Sequence, residues 1–553
     1  MSHKTIAIQT KRASQLLDCI DGGMFAIPKL QREFVWDGKK AAKLLDSIAS
    51  GMPIGVVMIW ETPKIQLLHL RRRFHILPPF SDKNNKVWFL IDGQQRISVM
   101  YHTQKGDVVQ NARHRDIDFS RVVLSLEDEE DGQQIRYRKP HEGQYVSLCD
   151  VLNPHWSKKL SWLGKRQSAR VRKCRLAILH YPFHLMFMHA KLEQVHECFL
   201  RINTQGMRVT TADGIISRSG KLNLRDISHE VRDNLDDSFS DMPEMPILFA
   251  LTAVRGATEA RGPAIETIIR RLERQAQNDD RKRKELAREW TRLSKCFGKA
   301  VDHLRQNFCV LNRGFLYSDY IVSILALFYF WNGAGPDRRQ AGEIRRWFWA
   351  TAAGGRYSGK EFYRSLPKDL DFFKKLADKP GTRFKFRPQV DKVDLRKTQY
   401  AGHTGLSCAV YCMLLRRGPV SILDSGLNEI PAERYSTPAN RKDRHHIFPK
   451  QPLANEEVPP NQYNSIANIC LLTAEENQQI SNRRPKSYLG AVSETTRQFG
   501  LKMNRHLIPY HPQSGIWSKN LRRGFHRFIE ERTEMIWSAL EHEAGIRLFR
   551  RDL

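Results

Sequence analysis

The stretch Arg444-His-His-Ile-Phe-Pro449 decides how the C-terminal part of the chain folds, together with the later stretch Asn468-Ile-Cys-Leu-Leu-Thr473. Successive side chains of a short strand point to opposite faces, so His445 and His446 face different sides. The second stretch opens on an asparagine and continues as an apolar run, which predicts a second strand. Thr473-Ala-Glu-Glu476 has the pattern of a capping box, which begins a helix. The sequence therefore predicts a strand, a strand and a helix whose polar side chains meet at one end.

This order resembles the ββα-metal arrangement of an HNH nuclease. In that family a first His or Asp binds one divalent cation, the next His is the general base that activates water, a central Asn orients the base, and a last His or Asn completes the metal site. The resemblance implies these roles here: metal ligand His445, general base His446, orienting residue Asn468 and second metal ligand Asn477. A neutral imidazole suits the base, and Mg²⁺ or Mn²⁺ is the expected cation.

Neighbouring residues leave the assignment open in two places. Asp443 lies on the same face as His445 in a regular strand, so it could share or replace the ligand role. Asn461, Asn464 and Asn482 are alternatives for the asparagine roles. The structural alternative is that the two histidines form a surface pair and the asparagines are ordinary turn residues.

A second motif, Asp92-Gly-Gln-Gln-Arg96, follows the apolar run Val87 to Ile91 and opens a helix that continues through His102. A strand, a glycine turn and a helix N-terminus make an anion site, because the first N–H groups of the helix have no partner within it. Arg96 adds positive charge, and Asp92 could bind a ribose hydroxyl or a cation. By itself, such a turn before a helix is usually structural.

Two further stretches accompany this motif in order, Gln31-Arg32 and Phe199-Leu-Arg-Ile-Asn-Thr-Gln-Gly206. The set resembles the DGQQR domain of the ParB and sulfiredoxin-like superfamily, found in GmrSD-type modification-dependent (type IV) restriction endonucleases and in related defence proteins such as SspE and BrxU. Those proteins join this domain, through a helical region, to a C-terminal HNH domain. The resemblance implies that an NTP, GTP or ATP, is bound and hydrolysed as a regulator, and that it is held by Gln31, Arg32, Asp92, Gly93, Gln94, Gln95 and Arg96.

The predicted fold class is α+β and multidomain. Residues 1–215 are expected to form a ParB-like α/β domain for nucleotide binding and DNA sensing, residues 216–390 a helical linker domain, and residues 391–553 the HNH nuclease domain. The helical region includes a charged helix predicted over Arg270 to Trp290, and a basic amphipathic helix is expected from about Asn520 to Leu540.

Charge indicates the kind of partner. The 553 residues include 90 lysines and arginines against 60 acidic residues, a formal charge of +30, which favours a polyanion such as DNA. One basic cluster without an acid is the candidate DNA-binding surface: Lys165, Arg166, Arg170, Arg172, Lys173 and Arg175. A stretch that alternates cations with aromatic rings, Arg383-Phe-Lys-Phe-Arg387, could stack on bases or form an extended segment with one buried face.

Composition excludes several classes. The abundance of large apolar residues excludes wholesale disorder, and nine scattered cysteines without a CxxC pair indicate neither a disulfide scaffold nor a zinc ribbon. No signal or membrane segment is evident, so a cytoplasmic location without a membrane partner is expected.

The leading hypothesis is a phage-defence endonuclease that senses modified double-stranded DNA. The alternatives are an NTP-regulated DNA-binding module with a degenerate or partner-dependent nuclease, and an HNH nuclease toxin acting on host nucleic acid. A homo-oligomer or a second defence protein is left open.

Overall fold

The computed structural model describes residues 6–28, 31, 33–64, 76–81, 83–111, 116–129, 132–141, 144–191, 194–195, 197–199, 210–219, 222–431 and 444–545. The chain divides into two compact units, residues 1–226 and residues 227–553. Helices and small sheets are both present, which confirms the mixed α+β class. Among the described residues, no helix combines the length and the apolar character needed to cross a membrane.

The first unit is built on a five-stranded mixed sheet with the strand order β1 (Ile6–Arg12), β10 (Pro182–Met188), β3 (Val57–Pro63), β4 (Lys86–Asp92) and β2 (Phe25–Ala26). β10 pairs antiparallel with β1 and parallel with β3, and β4 pairs antiparallel with β3 and parallel with β2. The elements of this unit are β1 (Ile6–Arg12), α1 (Ala13–Asp21), β2 (Phe25–Ala26), α2 (Gly38–Ala49), β3 (Val57–Pro63), β4 (Lys86–Asp92), α3 (Gln94–Lys105), β5 (Val108–Gln110), β6 (Asp116–Asp118), β7 (Val122–Ser125), β8 (Ile135–Tyr137), β9 (Tyr145–Ser147), α4 (Leu148–Leu152), α5 (Trp156–Lys159), α6 (Lys165–Leu179), β10 (Pro182–Met188) and α7 (Thr211–Arg218).

The central strand β4 explains where the first motif lies. Its residues Val87 to Ile91 are all buried, because apolar groups cover both faces of the strand. β4 ends at Asp92, so the Asp92–Arg96 motif occupies the junction between a buried strand and the helix α3. The strand and the helix that the sequence predicted on either side of the motif are both confirmed.

From residue 224 onward the chain is mostly helical. The elements are α8 (Leu224–Asp233), α9 (Glu244–Ala253), α10 (Gly262–Asn278), α11 (Asp280–Phe308), α12 (Tyr320–Asn332), α13 (Arg338–Ala353), α14 (Gly359–Asp378), α15 (Lys392–Lys397), α16 (Gly405–Arg416), β11 (Arg444–His446), α17 (Lys450–Asn455), α18 (Pro460–Tyr463), β12 (Ile469–Leu471), α19 (Ala474–Ile480), α20 (Pro485–Thr495), α21 (Phe499–Arg505) and α22 (Leu521–Ala544).

The single charged helix predicted over Arg270 to Trp290 is wrong. The structure has two helices there, because Asp279 takes an extended backbone conformation between them and caps the second one. Its carboxylate accepts hydrogen bonds from the backbone N–H groups of Arg281 and Lys282, at 2.9 and 3.1 Å. Aspartate satisfies these otherwise unpaired donors better at a cap than it would inside a helix.

Helices of the predicted linker region and of the predicted nuclease region contact each other within the second unit. Arg345 of α13 donates from Nε to the backbone oxygen of Glu543 at 2.7 Å, and Arg416 of α16 pairs with the Glu543 carboxylate at 3.2 Å. The Arg345 contact joins the two regions at the carbonyl end of α22, where basic groups bind favourably, whereas the Arg416 pair lies within the predicted nuclease region. The predicted division at residue 390 stays a prediction.

One loop of the second unit, residues 421–424, is held from two sides. The buried carboxylate of Glu476, in α19, accepts hydrogen bonds from the hydroxyl of Ser421 and the N–H of Ile422, both at 2.8 Å. The buried ammonium of Lys502, in α21, donates to the backbone oxygen of Ser421 at 2.7 Å and to that of Asp424. Each charged group thus binds backbone groups of opposite polarity, in addition to the hydrogen bond from the N–H of Ser421 to the backbone oxygen of Asn428 at 2.9 Å.

Candidate functional site

The C-terminal site stands on the predicted strand, strand and helix. β11 pairs antiparallel with β12, with His445 opposite Cys470 and His446 opposite Ile469. The capping box is present as well, since Thr473 accepts from the N–H of Glu476 and caps α19. This confirms the predicted order of elements, and it places Asn477 in the first turn of the helix beside the strand pair.

His445 and Asn477 come together in the structure. The ring atom Nδ1 lies 2.6 Å from the side-chain oxygen of Asn477. His445 is only 3% exposed, and this burial lowers its pKa to about 4, against an opposing effect of the Asn477 hydrogen bond. Its other ring atom, Nε2, is buried and has no hydrogen-bond partner in the described part of the chain. His445 is therefore a neutral imidazole with an unused buried nitrogen.

His446 is oriented by Asn464. Its Nε2 lies 3.1 Å from the side-chain oxygen of Asn464, and because a carbonyl oxygen accepts, Nε2 carries the proton and Nδ1 the lone pair. The ring of Tyr400 stands nearly perpendicular to the imidazole, 4.8 Å away between centroids. Burial and the charge of Lys450 lower the pKa of His446 to about 3, with the Asn464 bond acting against them. The ring is neutral at physiological pH and can accept a proton, although its lowered pKa makes it a weaker base than an exposed histidine.

Asn468 acts on the loop after β11 rather than on the histidine ring. It is fully buried, and its side-chain oxygen accepts from the N–H of Phe448 at 2.9 Å. Its amide donates to the backbone oxygens of Phe448 and Tyr463, each at 2.9 Å. All of its hydrogen bonds go to backbone groups, so the predicted orienting contact to His446 is made by Asn464, one of the alternatives the sequence left open.

The other residues that the sequence offered for the metal and asparagine roles do not contribute to the described site. Asp443 lies outside the described residues, and Asn461 and Asn482 are exposed. Two residues that were not among the candidates from the sequence, Tyr400 and Lys450, contact each other at 3.0 Å beside His446. Lys450 directly follows the His-Ile-Phe-Pro stretch and could have been found as its next cation, whereas nothing near Tyr400 in sequence marks it.

The donor atoms fit a divalent cation that keeps most of its water. Because the Asn477 oxygen accepts, Nδ1 of His445 carries the proton in this contact. A cation held by both atoms would replace this hydrogen bond and require the other tautomer, and the remaining positions of an octahedron would be left to water and phosphate. Within the described ranges, no group of three or more His, Cys, Asp and Glu side chains that could hold a metal comes together. The site thus offers an open set of two ligands rather than a closed cage.

The N-terminal site lies at the start of α3. Gly93 has φ = +93°, a left-handed conformation that turns the chain sharply from β4 into the helix. Gln94 follows it, and both polar atoms of its buried side-chain amide lack a hydrogen-bond partner in the part of the chain that the structure describes. An unpaired buried amide is costly, which suggests a ligand or water at this point.

Other side chains of the motif already have partners. Arg96 pairs with Asp92 at 2.6 Å and donates to the backbone oxygens of Ile54 and Val56, at 2.6 and 3.1 Å. These bonds hold the turn at Gly55, where a Cβ would lie 2.7 Å from the guanidinium. A phosphate at Arg96 would have to replace some of these contacts.

The side chains of Gln31 and Gln95 also form hydrogen bonds with backbone groups of the protein. Gln31 donates to the backbone oxygens of Leu90 and Ile91, and Gln95 bridges the backbone of residues 33 and 35. Arg32 and most of the stretch from Phe199 to Gly206 lie outside the described residues.

The basic cluster lies on α6 and is only partly available. Arg170 donates to the backbone oxygens of Ser125 and Glu127 and pairs with Asp128 at 2.6 Å. Arg175 donates to the backbone oxygens of Val151 and Asn153. The cluster members left exposed for a polyanion are Lys165, Arg166, Arg172 and Lys173.

The unit that carries the N-terminal site is similar to a known class of domain. Residues 13–218 match the sequence model of a family described as GmrSD restriction endonuclease, N-terminal domain, somewhat more than a third of the chain. Over nearly its whole length the chain is similar to the uncharacterized protein MJ0686 of Methanocaldococcus jannaschii. The two are 19% identical, and the similarity covers 95% of this chain and 97% of that protein. The match supports the predicted resemblance to GmrSD-type restriction endonucleases over residues 13–218.

Proposed function

We propose that this chain is a phage-defence DNA endonuclease that cuts phosphodiesters at His446 and is controlled by a nucleotide at the Asp92–Arg96 motif. One observation is the main support for nuclease activity. The buried, neutral His446, whose ring is held by Asn464, lies on the same strand pair as His445, whose Nδ1 is hydrogen-bonded to Asn477. The similarity of residues 13–218 to the restriction-enzyme domain supports the DNA substrate and the defence role.

The chemistry assigned to His446 is general base catalysis. Nδ1 takes a proton from a water molecule, whose oxygen forms a bond to phosphorus while the bond from phosphorus to the 3′ oxygen breaks. Asn464 keeps the ring in place, and its side-chain oxygen stabilises the imidazolium that forms, through the Nε2–H bond. A solvent proton reaches the departing 3′ oxygen, which leaves a 5′-phosphate and a 3′-hydroxyl.

His445 and Asn477 would hold Mg²⁺ or Mn²⁺. When bound, such a cation supplies positive charge against the phosphoryl oxygens and the leaving oxygen. Burial keeps the His445 imidazole neutral, so binding a cation at Nδ1 would require the ring proton to move from Nδ1 to Nε2 rather than to leave the ring.

Nucleotide control is proposed at the start of α3, where no side chain caps the helix at Gly93 and the buried amide of Gln94 has no hydrogen-bond partner among the described residues. GTP or ATP would bind there and bias the nuclease, and modified foreign DNA would be the target. The contacts of Arg96 with Ile54 and Val56 favour a second candidate, a nuclease in which this motif is only a structural turn.

The test compares His446→Ala with His526→Ala, a control that removes an exposed histidine of the same unit. Matched modified and unmodified phage DNAs are incubated with Mg²⁺ or Mn²⁺ and with each NTP. We expect wild type and His526→Ala to cut, and His446→Ala to lose about 10²–10⁴ in rate, the contribution of a general base. Cutting by His446→Ala at the wild-type rate would exclude the assignment.

A further inference from the structure

A cleft of about 610 Å³ opens between α14 and the segment that follows it, in the region for which no activity has been proposed. Its volume is within the range of ligand pockets. One wall is Phe372 of α14, and the other is the alternating stretch that begins at Arg383. The sequence left open whether the aromatic rings of that stretch stack on bases or face the protein.

The structure gives that stretch two different faces. Phe384 is buried and Phe386 is half-buried, whereas Arg383 and Lys385 are exposed, so burial alternates residue by residue as in an extended chain. Phe384 packs on Phe372 with centroids 5.0 Å apart, and Phe386 lies 6.2 Å from Phe384. The rings therefore form a continuous aromatic wall in which only Phe386 is left partly exposed, and the cations stand along its edge.

The floor of the cleft is a buried ion pair. Arg356 binds the fully buried Asp369, and its guanidinium lies over the ring of Phe386 at 4.3 Å. Asp369 is fixed in turn by the indole N–H of Trp347 at 3.0 Å. Arg356 Nε is buried without a hydrogen-bond partner within the described part of the chain. The floor is thus rigid, and it has an unused donor.

The rim is positively charged. Lys368, Arg383 and Lys385 are exposed and form no ion pair within the described residues. The fourth rim cation, Lys375, pairs with Asp371 at 2.7 Å. Because Arg356 neutralises the other lining carboxylate, Asp369, three positive charges are left to face solvent around an apolar wall.

From this arrangement we infer that the cleft binds a single-stranded segment of nucleic acid, with phosphates on Lys368, Arg383 and Lys385 and a base against the aromatic wall. Phosphates alone would need the cations but not the rings, whereas unpaired bases stack on aromatic side chains. A base paired within a duplex would not enter a cleft between a helix and a loop, so an unpaired strand fits best. The inference relies on the proposed function only for the choice of nucleic acid as ligand.

The experiment measures the anisotropy of a fluorescent oligothymidylate bound to the full chain in EDTA, where binding is seen without cleavage. The cleft variant Lys368→Ala/Arg383→Ala/Lys385→Ala is compared with Lys39→Ala/Lys40→Ala/Lys43→Ala, which removes three exposed lysines of the first unit. We expect the cleft variant to lower the slope of log affinity against log salt by about two, a loss of about a hundredfold at 0.1 M salt. The control variant should bind like wild type.

The aromatic wall is tested separately. Phe386→Leu should weaken binding of the strand at least about fivefold without changing the salt slope, and Phe386→Tyr should retain it, because tyrosine keeps the π face. Equal losses for the cleft and control variants would overturn the proposal. So would displacement of the strand by free ATP at similar concentrations, or unchanged binding by Phe386→Leu. None of these results depends on whether His446 cuts DNA, so failure of the nuclease proposal would be seen separately.

Discussion

Substitution of Asn468 by alanine tests how the loop between the strand β11 and the helix α17 is held. The side chain is fully buried and makes three hydrogen bonds of 2.9 Å to backbone groups, two at Phe448 and one at Tyr463. Alanine removes all three and leaves one N–H and two carbonyl groups without their partner. Each buried group left without its partner costs about 1–3 kcal/mol, so we expect the free energy of unfolding to fall by at least about 3 kcal/mol.

The measurement is urea unfolding followed by tryptophan fluorescence, with Asn461→Ala as the control. Asn461 is exposed and its side chain forms no hydrogen bond within the described chain, so its loss should change the free energy of unfolding by less than about 0.5 kcal/mol. Asn468→Asp should be at least as damaging as alanine, because a carboxylate oxygen would then face two carbonyl oxygens.

Cleavage is assayed on the same proteins at low temperature, where Asn468→Ala is still folded. We expect the cleavage rate of Asn468→Ala to fall strongly, because the loop that Asn468 holds begins directly after His446. A loss of less than about 1 kcal/mol together with normal cleavage would refute the view that Asn468 fixes this loop.

Three further outcomes are expected. Burial lowers the pKa of His303 to about 4, below its unfolded value of about 6.5. The stabilisation by the neutral ring is therefore complete above pH 6.5 and is lost as the pH falls towards 4, by about 3 kcal/mol in total. In urea titrations at each pH, His303→Gln should lack this part of the acid destabilisation. Duplex DNA binding should be strongly salt-dependent, and neutralising Lys165, Arg172 and Lys173 should lower the salt slope by about three; an unchanged slope would remove α6 from the DNA surface. Arg96→Ala should alter NTP turnover and the NTP dependence of cleavage, whereas His446→Ala should leave turnover intact; normal turnover and regulation in Arg96→Ala would make the motif a structural turn.

Local patterns in the sequence predicted the frame of both sites. The apolar run before Asp92 and the capping box at Thr473 depend on neighbours in the chain, and both appear as expected. Such local patterns could not predict contacts between residues that are far apart in the sequence. Nothing local shows that Asn464 rather than Asn468 reaches the ring of His446, or that Arg96 is bound by carbonyls some forty residues earlier.

Local sequence patterns likewise could not show which charged side chains are free to bind a partner. The cluster on α6 looked uniform in sequence, yet Arg170 and Arg175 are bound to carbonyl groups of other segments. The stretch from Arg383 to Arg387 matches the extended segment with one buried face, because Phe384 is buried and Phe386 half-buried while Arg383 and Lys385 stay exposed. Sequence fixes the spacing of side chains along a segment, but only the packed neighbours decide which of them remain available.

The hydrogen bonds of Glu476 and Lys502 to residues 421–424 affect where the chain can be cleaved by proteases or can accept an inserted segment. Loops outside regular structure are the usual places for protease nicks, tags and inserted domains, because their backbone is free. Here the loop's N–H and carbonyl groups are held by buried charges, and Glu476 immediately precedes Asn477. An insertion at this loop would leave both charges without partners and would shift the first turn of the helix that carries Asn477. Despite lacking helix or strand, this loop is a poor site for fusion and should resist proteolysis as long as the unit stays folded.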